Sequence, residues 1–420
     1  MTPAEYLRHY RYDERLVTGG FFSSDPINVS PGETVGVVLL NMGGPHGHEE
    51  VESFLYNLFM DPAIIDIPVP RALRHPLCRW IARKRSETVR EEYGLIGGAS
   101  PINPHTERQA RLLEESLENS PRAPAGVRFR VYTAMRYGTP STEDAAAQMK
   151  TDGVTSVVLL PLYPQYSKTT SGASLAYWHA LLQSGEIHKR PTTLVYEYAA
   201  HPSYVRSIVD RIEEGLARFG PKTDEVFLLF SAHGTPVSEM KKRRDPYCCL
   251  IHSTVHRVMA ERGFDRDFRV SFQSKVGPVE WLTPSTPDAL HDLAQSGRKR
   301  VLVIPVAFVS DHVETVFELD IEVRHQAMEA GIEQFEVTEG LNEHPSFIEA
   351  LADVTLRQIR TDGALPAPFG GASSTEPATF RASERQTCCH QCLRITEARK
   401  WADAAVPTGA ATPRNFSACT

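Results

Sequence analysis

The segment from Val301 to Glu322 reads VLVIPVAFVSDHVETVFELDIE and places five acidic side chains and one histidine just beyond an apolar run. Glu314, Glu318 and Glu322 recur at every fourth position, with Asp311 about one turn ahead of them. On a helix that spacing aligns them in a single stripe. Like charges so stacked repel, and either a solvated helix face or a chemical task accounts for them. Two tasks suit carboxylates in a row: passing a hard cation from ligand to ligand, or carrying protons on groups of raised pKa. A second stretch with chemistry is SAHGTP at 231–236, where His233 directly follows the apolar run VFLLF. A neutral imidazole there binds a borderline metal ion or takes up a proton near neutrality. A lone loop histidine is more often structural. Beside His312 and the acidic stripe, the chemical reading is the stronger one.

The elements that must position these residues are legible as runs. Val301–Phe308 is apolar and β-branched without alternation, which predicts a parallel strand buried on both faces. Ser310 or Asp311 is expected to cap the helix that follows, with Glu314 as capping-box partner. The carboxyl ends of such strands are where open α/β sheets bind ligands. Similar runs pair up along the chain: VGVVLLNMGGP with VFLLFSAHGTP, FRVYTAMRYGTP with FRVSFQSKVGP, and SVVLLPLYPQYS with RVLVIPVAFVSDH. The expected fold is therefore α/β, with two Rossmann-like, doubly wound parallel-sheet domains at 34–195 and 196–360 facing one cleft. An irregular tail is expected at 1–33, and a Gly/Pro/Ser/Thr-rich linker with a cysteine-bearing tail at 361–420.

Spacing exposes an insertion. Pro45 and Pro236 lie 191 positions apart but Phe129 and Phe268 only 139, so the first half carries 52 extra residues between its first two strands. The segment 54–85 fits that surplus. It mixes Phe54, Leu55, Leu58, Phe59, Ile64, Ile65, Leu73, Leu77, Trp80 and Ile81 with Arg71, Arg74, Arg79, Arg83, Lys84 and Arg85. Apolar bulk rimmed by cations suits a lip for a flat greasy ligand or a membrane surface, and an ordinary helical hairpin is the alternative. The net charge of −7 argues against a general nucleic-acid binder. No apolar run reaches the length of a membrane span, and the N-terminus resembles neither a signal nor a transit peptide. A cytosolic protein is expected, peripheral at the inner membrane face if the lip touches lipid.

Together these residues resemble the ferrochelatases, lyases that insert ferrous iron into a porphyrin. The resemblance rests on LLNMGGP (39–45), EEYGLIGGASPI (91–102), YPQYS (163–167), SAHGTP, QSKVGPVEWL (273–282) and SDHVETVFELDIE (310–322). It implies two Rossmann-like domains of the chelatase fold with a porphyrin cleft. It also implies roles for single residues. His233 corresponds to the active-site histidine, assigned to metal binding, pyrrole deprotonation or both, and Glu314 to its partner across the macrocycle, with His312 and Asp311 alongside. Glu318 and Glu322 continue as an acidic path. Met42, Tyr93, Ser100, Arg136, Tyr163 and Trp281 match positions lining the porphyrin pocket, and Arg83 to Arg85 match basic residues of the lip. The LNMGGP loop resembles the protoporphyrin type more than the coproporphyrin type, so protoporphyrin IX and ferrous iron are the implied substrates. A cobalt or nickel chelatase is one alternative. A porphyrin carrier without turnover is another, and it would need no acidic stripe.

Some relatives hold a [2Fe–2S] cluster on a C-terminal extension, and Cys389-His-Gln-Cys392 has the C-x2-C spacing of two such ligands. Lys168, however, stands where animal relatives carry a cysteine. Cys388, Cys389, Cys392 and Cys419 leave three readings open: a cluster, zinc on Cys and His390, or no metal. Cluster-bearing relatives are commonly dimers, which makes a homodimer an expectation by analogy. Cys248 and Cys249 read as structural.

Overall fold

The computed structural model describes residues 1–361 apart from 66, 68 and 275–278. They form two compact units: Met1–Tyr198 with the described stretch from Ile348 onward, and Ala199–Phe347. The last stretch of the expected second domain thus belongs with the first unit.

Residues 1–33 are not an irregular tail. They hold α1 (Pro3–His9), closed by a Thr2/Glu5 capping box, then α2 (Arg15–Thr18) and β1 (Ile27–Asn28). β1 pairs in parallel with β10 (Ile359–Arg360). Leu16 is buried against Ala63, Ala173 and Ala176. Single apolar anchors among polar residues carry no periodic signal, so tertiary packing alone orders this segment.

The sheet of the first unit is wholly parallel, in the order β3-β2-β4-β5. Its strands are β2 (Thr34–Asn41), β3 (Arg128–Met135), β4 (Ser156–Pro161) and β5 (Thr192–Leu194). Every residue of β2 and β4 is buried, as unbroken apolar runs covered on both faces require. Between β2 and β3 run α3 (Val51–Met60), α4 (Arg71–Leu95) and α5 (Ile102–Glu118). After β3 comes α6 (Thr142–Thr151), and after β4 a π-helix (Lys168–Gly172) that continues as α7 (Ala173–Ser184). A side chain at Gly172 would start 2.1 Å from the Leu16 carbonyl oxygen, so α2 lies directly on this π-helix.

The inserted hairpin is α3 with α4, and one of its six expected rim cations is internal. Buried Arg74 donates to the carbonyls of Phe59, Asp61 and Ile65 at 2.9, 3.2 and 2.7 Å, satisfying the C-terminal end of α3. Arg71 donates to the Tyr10 carbonyl at 2.8 Å. The outer face keeps Leu73 (57% exposed) and Trp80 (60%), with the Lys84 ammonium 5.4 Å from the Trp80 ring centre. Arg79, Arg83 and Arg85 are also exposed.

The second unit opens with α8 (Pro202–Ala217) and repeats the same plan with β6 (Phe227–His233), β7 (Phe268–Gln273), β8 (Arg300–Pro305) and β9 (Gln334–Val337) in the order β7-β6-β8-β9. Here only α9 (Val237–Arg243) and α10 (Tyr247–Glu261) join the first two strands. α11 (Thr286–Gln295) follows β7, and α12 (Arg324–Ala330) precedes β9. α13 (Pro345–Leu356) then carries the chain back into the first unit. The equivalence of the two units reaches single bonds. Met135 N–H reaches Pro140 O at 2.8 Å and Phe272 N–H reaches Pro284 O at 2.9 Å, each just before the serine that caps the next helix.

The helix after β8 is also a π-helix, Glu314–Val323, where an α-helix was expected. Neither Ser310 nor Asp311 caps it in a box with Glu314. The Thr315 hydroxyl accepts from His312 N–H at 3.1 Å instead. Residues four apart in the wider π turn fall just short of a full turn, so the three glutamates still share one side. In a sheet of this order the direction of winding reverses at the first strand, and the crevice opens at the carboxyl ends of the first and third strands. In the second unit those are the ends of β6 and β8, the positions that lead into His233 and Glu314.

Candidate active site

The carboxylate of Glu314 lies between two imidazoles. Nδ1 of His233 is 2.6 Å from the Gly234 carbonyl oxygen, and Nδ1 of His312 is 3.1 Å from that of Ser310. A carbonyl only accepts, so Nδ1 carries a proton in each ring, and in the neutral ring Nε2 presents its lone pair. Both lone pairs face Glu314, His233 Nε2 at 3.8 Å from Oε1 and His312 Nε2 at 3.6 Å from Oε2. These gaps exceed a hydrogen bond. They are of the width that a shared cation or an arriving proton would close. Glu314 Oε2 is buried without a hydrogen-bond partner among the described residues. Burial by itself pushes the Glu314 carboxyl up, but charge on His233, and then the His312 imidazole, hold it down at about 2. A protonated His233 or His312 therefore keeps Glu314 ionised beside it. Phe308 packs against both rings, with centroids 4.5 Å from His312 and 6.3 Å from His233.

One turn on, Glu318 accepts from Ser274 N–H at 3.0 Å and from the Ser274 hydroxyl at 2.7 Å. Its pKa is raised to about 7, by burial first and by the charge of Glu314 second, with the Ser274 hydrogen bonds opposing both. Glu322 is exposed. The stripe thus runs from a partly buried carboxylate held ionised by its histidines, through one that titrates near neutrality, to solvent. Asp311 does not belong to it. Its two oxygens accept from Gly340 N–H (3.0 Å), the Thr315 hydroxyl (3.1 Å) and the Asn342 side chain (2.7 Å), so it pins a loop and has no role as an open base. Among the described residues no three His, Cys, Asp or Glu side chains form a ready-made metal cage.

Trp281 packs on the His233 loop. Pro236 and Trp281 form an antiparallel bridge, and a side chain on Gly234 would start 2.6 Å from Gln273 O and 3.2 Å from the indole. The Trp281 indole N–H is buried without a partner among the described residues. Tyr247, at the start of α10, donates its hydroxyl to the His233 carbonyl at 3.1 Å. Phe308, Ser274, Gln273 and Tyr247 were not singled out from sequence. For Ser274 the QSKVGP motif was a signal, because it stands at a strand's carboxyl end.

In the first unit, Met42 follows β2 and Tyr163 lies just beyond β4, both half-buried at that sheet's own winding reversal. Three other expected pocket residues are placed differently. Tyr93 is 2% exposed on α4, and Ser100 is buried with its N–H on the Pro45 carbonyl at 2.9 Å. Arg136 keeps only 10% of its side chain exposed and pairs with Asp61 at 2.6 Å. Its guanidinium lies 3.8 Å from the Tyr177 ring centre and 5.1 Å from those of Tyr6 and Tyr137. The Tyr137 hydroxyl donates to the same Asp61 oxygen at 2.8 Å. The Arg136 charge is thus satisfied inside its unit. Cys388, Cys389, Cys392 and Cys419 lie outside the described residues.

Residues 34–359 match the family model described as Ferrochelatase. The chain belongs to the ferrochelatase family. A ferrochelatase from Thermosynechococcus vestitus is 44% identical over 320 residues, 76% of this chain and 81% of that protein. One from Gloeobacter violaceus is 41% identical over 326 residues, 77% of this chain and 98% of its own length. Among solved structures, the sirohydrochlorin chelatase SirB from Bacillus subtilis subspecies spizizenii in complex with cobalt matches 78% of this chain and 95% of its own at a TM-score of 0.42 and 10% identity. CbiX, the terminal enzyme for biosynthesis of siroheme in denitrifying bacteria, covers 77% of this chain and 98% of its own at a TM-score of 0.39 and 12% identity. The family match accounts for the segment that bears both parallel sheets and the histidine–glutamate set.

Proposed function

We propose that this chain is a protoporphyrin ferrochelatase, a lyase that forms protohaem from ferrous iron and protoporphyrin IX. The observation that carries the reading is the pair of imidazole Nε2 atoms directed at the two oxygens of one carboxylate. Insertion removes two protons from pyrrole nitrogens and replaces two N–H bonds by bonds to iron, without any change of oxidation state. His233 Nε2 has an open lone pair and more exposure than His312, which suits it to take a pyrrole proton or to hand over the metal. Glu314 stays charged and replaces water on the incoming ion, with His312 Nε2 on its far oxygen. Glu318, titrating near 7, receives protons at working pH and passes them towards Glu322 and solvent. Trp281, beside the His233 loop, supplies apolar surface for the macrocycle.

The exposed Leu73, Trp80 and Lys84 on α4 support a peripheral contact with a membrane, the phase into which protoporphyrin partitions. None of the described helices is long and apolar enough to cross one. The four tail thiols are enough for a [2Fe–2S] cluster. Stoichiometric iron and acid-labile sulfide with visible absorption would establish it, and colourless iron-free protein would remove it.

The function is tested by anaerobic mixing of the protein with ferrous iron and protoporphyrin IX. Replacement of the porphyrin bands by haem bands, with multiple turnovers, supports it. Bound but unchanged porphyrin contradicts it, and a repeat with coproporphyrin III separates the wrong porphyrin from a carrier.

A further inference from the structure

Gln273 and Ser274 end β7, and each touches one part of the acid–base set. Gln273 is buried and in register with His233 across the β6–β7 pair. Its backbone carbonyl accepts from Gly234 N–H at 2.7 Å, and its side-chain oxygen accepts from the Ser231 hydroxyl at 2.8 Å. Its Nε2 donates to the backbone carbonyl of Glu314 at 3.2 Å. One side chain therefore ties the strand that carries His233 to the residue that carries the facing carboxylate. Ser274 has φ of +63°, a region that residues other than glycine seldom occupy. In that conformation it directs both its N–H and its hydroxyl onto the two oxygens of Glu318.

We infer that Gln273 and Ser274 are positioning residues for metal insertion: Gln273 fixes the separation of His233 and Glu314, and Ser274 holds the Glu318 carboxylate where the path leaves the site. The inference rests on the ferrochelatase reading. A purely structural role predicts something different, because Gln273 also belongs to a buried polar network of Ser231, Ser271 and Thr286. Loss of that network lowers stability without separating kcat from KM.

The test uses the full chain with ferrous iron and protoporphyrin IX under anaerobic conditions. Ser274→Gly keeps the N–H and relaxes the positive φ, so it folds at least as well as the parent and lacks only the hydroxyl. It is expected to raise KM for iron on the order of tenfold, with KM for porphyrin unchanged. Gln273→Met keeps the side-chain volume and is expected to lower kcat on the order of tenfold at saturating substrates, with porphyrin affinity unchanged. If Gln273→Met does not fold, Ser274→Gly decides alone. Parent KM for iron in Ser274→Gly, together with parent kcat in any folded Gln273→Met, would overturn the inference. Turnover by the parent protein separates the two claims: active parent with indistinguishable variants sinks the positioning roles alone, and an inert parent sinks the functional reading too.

Discussion

Nε2 of His233 stands 3.8 Å from Oε1 of Glu314, too far for a hydrogen bond and close to the span of two bonds of about 2.0–2.1 Å to one cation. The charge of Glu314 is then the property that matters, more than its shape. Glu314→Gln keeps the shape and is predicted to lower kcat by at least about a hundredfold. Porphyrin affinity, followed by absorbance titration, should stay within about twofold of the parent. Parent-like turnover by Glu314→Gln would remove the carboxylate from the account.

Glu318 holds its place at a cost that depends on pH. Its folded pKa of about 7 lies above the ordinary 4.5, so the folded state binds the proton more tightly than the unfolded chain. Its contribution to stability is fully present below about pH 4.5 and declines as pH rises through about 7. Glu318→Gln removes that decline. It should be more stable than the parent at pH 8, by an amount on the order of 2 kcal/mol, and no more stable at about pH 4. Denaturant melts at the two pH values check this. An equal difference at both would contradict the shifted pKa.

Arg136 and Asp61 form a buried pair inside the first unit. Asp61→Asn leaves the guanidinium without its counter-charge and should destabilise that unit by about 3–5 kcal/mol. Urea unfolding measures it, with the second unit as an internal reference. A loss below about 1 kcal/mol would show that the pair is not a structural keystone.

Trp80 and Leu73 have no core to fill. Replacing both by serine should abolish flotation with anionic phospholipid vesicles while leaving turnover in detergent unchanged. Unaltered flotation would move the membrane contact elsewhere.

What could be read from the sequence follows physical lines. The unbroken apolar run Val301–Phe308 became a fully buried parallel strand only as far as Pro305, and the strand-end histidine and glutamates came together because the winding reversal lies there. The π-helix could not be read, because α and π turns leave the same apolar and acidic spacing. Arg74 and Arg136 looked like rim and pocket cations. Their partners, the carbonyls of 59–65 and the carboxylate of Asp61, lie 9 to 75 positions away in sequence. Asp311 looked like part of the stripe until Gly340 and Asn342 folded onto it. Leu16 gave no pattern at all, being one of two adjacent buried residues on the four-residue α2.

The most direct test of the central claim is single-turnover insertion by His233→Ala, mixed anaerobically with ferrous iron after loading with protoporphyrin IX. The account predicts porphyrin bands that persist, at a rate reduced by at least about a hundredfold, with binding intact. Haem bands appearing at the parent rate would contradict it.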